Sequence, residues 1–348
     1  MCITSINSPS IANINTSKIN LKVANTEKKV DTPPEIQVEA PNPAAIGQFK
    51  KNLLVEPTAQ TNLTFLDPKI ENNGGRESTI SAIKTIPSSQ LENAWVGKIA
   101  SNKNPDGNSE TAILTPKGFD PNKPVKIVYY FHGHNNGVNA IASSINDLKN
   151  KEGKPPLSSI MEYAKENNAI VVIPQGPQTD GDGNKKGSWM EGKNTFENFN
   201  QDIINKIPSL KGKDISVEIS GHSAGGLAVR NLVESISNNN SFDNKEGGKT
   251  SIGKVNFLDA SYHSGKESNI SDRADRTYAS ISKINKNSDK KINFEIVVTT
   301  NGDRTYNIDG KKVNSTNLPS RGSWLKLNYQ QGKAEHMDVP RMFFSGKL

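Results

Sequence analysis

One stretch constrains the fold of this chain more than any other. Ile215-Ser216-Val217-Glu218-Ile219 alternates apolar and polar residues, the period-two pattern of a strand. It runs into Gly221-His222-Ser223-Ala224-Gly225, and residues 225–236 then read as a helix. A G-x-S-x-G sequence between a strand and a helix requires a sharp turn with the serine at its apex. Gly221 and Gly225 lack a Cβ, so the two backbones can approach closely. The Ser223 hydroxyl then stands above the sheet at a helix N-terminus, where the dipole favours developing negative charge. A glycine-rich turn can also cradle a phosphate, but the G-x-G-x-x-G of a dinucleotide loop is not supplied. Ser223 is therefore read as a nucleophile.

The surrounding sequence repeats the strand–helix alternation. Residues 94–100 and 111–115 read as two strands joined by a polar turn containing Pro105-Asp106-Gly107. Val125–Phe131 is a continuous apolar run, followed by helical sequence to about Asn167 and a buried strand over 169–173. Helices are predicted over 195–207 and 273–284, strands over 255–258, 294–299 and 324–329, and a closing helix over 339–344. Short apolar runs alternating with helices imply a mostly parallel sheet covered on both faces, in a doubly wound α/β arrangement.

Residues 1–85 contrast with this. Asn, Ser, Thr, Lys and Pro dominate, Pro33-Pro34 and Pro41-Asn42-Pro43 interrupt, and neither helical nor strand periodicity persists. The expectation is a disordered N-terminal extension over 1–85 and a catalytic domain over 86–348. Ile46–Val55 could dock on an unknown partner or on the main domain; a plain solvated tail is the simpler reading.

Composition narrows the function classes. The net charge is +7, but bases and acids are interspersed, whereas nucleic-acid binding requires a concentrated basic face. No apolar run approaches membrane-spanning length, and no signal-peptide core follows Met1. The expected location is the cytoplasm, or outside the cell by a non-classical or specialised secretion route. Cys2 is the single cysteine, so an intrachain disulfide is impossible.

Phe131-His132-Gly133-His134, Pro174-Gln175-Gly176-Pro177, Gly221-His222-Ser223-Ala224-Gly225-Gly226 and the late His336 together resemble the α/β-hydrolase superfamily, within it the serine esterase and polyester-depolymerase-like branch. The resemblance covers about residues 90–348. It implies an α/β-hydrolase fold, mostly parallel and flanked by helices, and a Ser-His-Asp triad working through an acyl-enzyme without a cofactor. It implies backbone N–H donors at Ala224 and His134 as the oxyanion hole. Of the five histidines, His336 alone follows the last strand, where this fold carries its base. His222 is expected to pack under the elbow and His263 to border the site.

The acid has two candidates. Asp303 follows the later strand, the usual superfamily position, but Thr305 stands where the common G-D-x-D pattern has its catalytic acid. Asp259 ends the preceding strand and is preferred, because loop aspartates are often turn formers. Both keep the order Ser…Asp…His. Trp189, in the long polar segment Gln175–Asn194, either stacks on substrate or anchors its loop. No long apolar insertion resembles a lipase lid, so the expected substrate is a small or polar ester, or a polymer ester. An amidase or peptidase, a non-catalytic binding protein on the same scaffold, and a metal-dependent hydrolase built on His132 and His134 stand as alternatives. The last lacks a third ligand at close spacing, so no metal is expected.

Overall fold

Val125–Phe131 (β4) forms the middle of the sheet in a computed structural model of the chain. The model describes residues 68–133, 137–138, 158–177, 189–236, 239–260, 271–299, 306–308, 311–313, 323–330 and 335–348. Every β4 residue except Lys126 is buried. Ile127, Tyr129 and Phe131 point into one hydrophobic cluster; Val128 and Tyr130 point into the other. A strand covered on both faces needs apolar residues at every position, which explains the nearly unbroken run.

Nine strands follow the order β1 (Lys69–Asn73), β2 (Leu91–Lys98), β3 (Glu110–Pro116), β5 (Ala169–Pro174), β4, β6 (Ile215–His222), β8 (Lys249–Leu258), β9 (Asn293–Thr299), β12 (Leu325–Gln330), and β7 (Ser241–Asp243) pairs with β8. β3 is antiparallel to β2 and β5, and β7 to β8; the other pairings are parallel. β10 (Tyr306–Ile308) and β11 (Lys311–Val313) make a separate antiparallel pair. An antiparallel hairpin leading into a doubly wound parallel sheet in this order is the α/β-hydrolase fold.

One cluster is covered by α3 (Thr195–Lys206), α4 (Gly226–Ser235) and α5 (Ser271–Lys286). The other is covered by α1 (Glu77–Lys84), α2 (Ser158–Glu166) and α6 (Val339–Phe344). In α3 the buried Phe196, Phe199 and Ile203, and likewise Asn200 and Ile204, recur at three- and four-residue steps, so one stripe faces the sheet. Each such side chain contributes about 1.5–3 kcal/mol by leaving water. Among the described residues, no helix is long and apolar enough to cross a membrane.

The boundary expected at residue 85 is corrected. Within 68–85 lie β1 and α1, whose Ile80, Ala82 and Ile83 are buried against β2 and β3 residues. The Glu110 carboxylate, only 2% exposed, accepts bonds from the Arg76 main-chain N–H (2.6 Å), Arg76 Nε (2.8 Å) and Thr79 Oγ1 (3.1 Å). α1 has only two turns and β1 is polar and exposed, so neither gives a strong periodic signal. Residues 1–67 of the extension expected over 1–85 lie outside the described residues, as do residues 139–157 of the helical stretch predicted before Asn167. β7, β10 and β11, three residues each, were not predicted.

Candidate active site

The carboxyl ends of β4, β6, β8 and β9 lie together, because Phe131 pairs with Gly221, His222 with Leu258 and Leu258 with Val297. β4 pairs with β5 on one side and β6 on the other, so the chain reverses its winding beside the end of β4. Open α/β sheets carry their sites in this position.

β6 ends at His222, and a short 3₁₀ turn, Ser223–Gly225, leads into α4. Ser223 has φ 56°, the left-handed region that an L-residue occupies only when its surroundings hold it there. A Cβ on Gly225 would sit 2.1 Å from the Phe131 carbonyl oxygen, and one on Gly221 2.8 Å from the Gly225 carbonyl oxygen. The elbow therefore packs backbone on backbone against the end of β4. A Cβ on Gly133 would meet Ser223 Cβ at 2.9 Å and Oγ at 3.2 Å, so the chain leaving β4 passes directly over the serine.

His336 opens a 3₁₀ turn, His336–Asp338, before α6. Its Nδ1 lies 2.6 Å from Oδ2 of Asp259. Asp259 follows β8 at φ 47° and is 1% exposed; its N–H donates to the Val297 carbonyl at 2.8 Å. The carboxylate also accepts from Thr299 Oγ1 at 2.5 Å and Thr299 N–H at 3.3 Å. Burial pushes the Asp259 pKa up, but the bonds from His336 and Thr299 outweigh it and hold the carboxyl below its ordinary range. An ionised Asp259 requires the proton on His336 Nδ1, which puts the lone pair of the neutral ring on Nε2, the arrangement of a general base.

Two other histidines are buried beside this pair. His222 Nε2 lies 3.0 Å from the main-chain oxygen of His336, so that nitrogen carries the proton. The two rings are 4.6 Å apart at 33°. Burial, with His336 nearby, lowers the His222 pKa to about 3 against the opposing bond to the His336 carbonyl. His132 accepts the Gly176 N–H on Nε2 (3.0 Å) and donates Nδ1–H to the Gly133 carbonyl (2.9 Å). Both its nitrogens are engaged in bracing the loop after β4, an arrangement unlike a metal ligand. Burial lowers its pKa to about 4, with the Arg76 charge adding to the effect.

The structure thus brings together Ser223, His222, Gly133, His336 and Asp259. Asp303, His134 and His263 lie outside the described residues. Ala224 sits in the elbow directly after Ser223, half-buried. Trp189 is placed differently from a substrate wall: it is 3% exposed, its Nε1–H donates to Asn102 Oδ1 at 3.0 Å, and its ring packs against Phe131 and His132. A Cβ on Gly176 would strike this ring at 2.6 Å, so the ring packs directly on the backbone after β5. Sequence reasoning missed Thr299, whose contact depends on the register of β9, and Gln175. The buried Gln175 side chain accepts the Val138 N–H at 3.1 Å and Arg76 NH2 at 2.8 Å, so it holds the far side of the loop opening at Gly133.

The strand order and the elbow define the fold class, an α/β-hydrolase. The chain is similar to solved structures of that type. A feruloyl esterase module from Clostridium thermocellum is 14% identical over 80% of this chain and 93% of that one, with a TM-score of 0.42. A poly(3-hydroxybutyrate) depolymerase from Bordetella parapertussis is 12% identical over 76% and 92%, with a TM-score of 0.37. A poly(aspartic acid) hydrolase from Sphingomonas sp. KT-1 is 15% identical over 69% and 92%, with a TM-score of 0.35. No family model and no curated protein matches the chain.

Proposed function

We propose that this protein is a serine hydrolase that cleaves carboxylic esters through an acyl-enzyme. The reading is supported by a strained serine at the end of β6 and, joined to the adjoining His222, a histidine whose Nδ1 is held by a buried carboxylate. Ser223 Oγ attacks the ester carbonyl while His336 Nε2 takes its proton. The resulting imidazolium is stabilised by Asp259. The oxyanion of the tetrahedral intermediate accepts the backbone N–H of Ala224; the second donor is assigned to His134 from its sequence position. Collapse breaks the ester C–O bond, and the departing alcohol takes the proton from His336. Water then attacks the acyl-enzyme by the same route, giving the acid and restoring Ser223.

Labelling with a fluorophosphonate, together with hydrolysis of p-nitrophenyl acetate, tests this. The native protein is expected to label and turn over, and Ser223→Ala to do neither. A folded native protein that remains unlabelled and inert would overturn the reading and favour a non-catalytic binding role.

A further inference from the structure

We propose that His222 is a positioning residue for His336, tethering the main chain of the base to the turn that carries the nucleophile. The inference rests on the hydrolase reading above. His336 belongs to a short turn in which no residue is buried, and its neighbour Met337 is 65% exposed. Asp259 holds this side chain at Nδ1. The bond to Asp259 fixes the direction of Nδ1; it does not fix the main chain from which the ring hangs. His222 supplies an attachment at that main chain, the Nε2–H bond to the His336 carbonyl at 3.0 Å, and a ring face 4.6 Å away.

His222 suits the role by its own placement. It is 2% exposed and is fixed by β6, where it pairs with Leu258, the residue before Asp259. It also directly precedes Ser223 in the chain. The nucleophile, acid and base are therefore referred to one rigid piece of backbone. The charged and titratable groups that act on its ring are His336, Asp259 and His132, and the ring stays neutral through the ordinary working range, so the tether persists there. A protonated His336 formed during turnover would meet a neutral neighbour rather than a second positive charge.

Glutamine and asparagine separate this role from packing. A glutamine amide can place its NH2 near the position of Nε2, whereas asparagine reaches only the position of Nδ1. In His222→Leu and His222→Asn, kcat for p-nitrophenyl acetate and the fluorophosphonate labelling rate should fall together by about 10- to 100-fold, with KM changed by less than about twofold. His222→Gln should recover most of the loss. Thermal melts of all variants establish folding; if the leucine variant does not fold, the Gln–Asn comparison decides. Equal losses in Gln and Asn, or full activity in Asn, would overturn the proposal while the hydrolase reading stands. An inert, unlabelled native protein would instead overturn the hydrolase reading, and this inference with it.

Discussion

Ser223 and Asp259 adopt φ angles of 56° and 47°, conformations that disfavour both residues and cost about 1–2 kcal/mol each. Such strain persists only where packing over-determines the backbone, as at the carboxyl ends of β6 and β8. If Ser223 is the nucleophile, Ser223→Ala should lower kcat by at least about 1,000-fold at unchanged stability. Asp259→Asn should lower kcat by about 1,000- to 10,000-fold, because its amide cannot hold the His336 proton on Nδ1 as a carboxylate does. Steady-state kinetics beside thermal melts check both. The turn that carries Ser223 was legible in the sequence because its motif is local. The contact between Asp259 and His336 was not, because it joins residues 77 apart in the chain.

The elbow as an element depends on close backbone approach. Gly225→Ala would drive a methyl group into the Phe131 carbonyl and separate β4 from the turn. We expect a loss of about 3 kcal/mol or more by the overpacking mechanism, read as a lower denaturation midpoint. Trp189→Ala should destabilise by about 3–5 kcal/mol through its lost ring contacts, with residual activity showing little change in KM; a large KM increase at native stability would restore a substrate-contacting role. The main strands and helices of the sheet were legible from apolar periodicity. The three-residue strands were not, since so short a segment carries no period and is specified by its partner.

The whole molecule should show two further effects. His132 and His222 have native pKa values of about 4 and 3 against an ordinary 6.5. Between these values the unfolded chain binds protons that the native protein excludes. The stability these groups contribute is complete above pH 6.5 and is lost as pH falls toward their folded values. Each contributes a slope of up to about 1.4 kcal/mol per pH unit. Asp259 acts lower: its depressed pKa adds stability above 3.8 that disappears as pH drops through the folded value. Urea melts from pH 8 to 4 should therefore decline from about pH 6.5, and His222→Gln should flatten the decline. The second effect concerns β1 and α1. Arg76→Met leaves the buried Glu110 with only the main-chain N–H and Thr79 as donors and should destabilise by about 3 kcal/mol, the low end for a broken buried pair because Arg76 is partly exposed. A chain beginning at residue 86 should lose stability for the same reason, and a melt equal to that of the full chain would contradict it.

By itself the sequence determined the alternation of strands and helices, the doubly wound class and the position of Ser223, since all of these follow from local periodicity and from the backbone freedom of two glycines. Tertiary structure decided the rest: that Asp259 meets His336, that Thr299 and His222 hold them, that Trp189 is buried and that the domain reaches back to β1. These facts depend on strand register and on contacts between residues far apart in the chain, which no local pattern encodes.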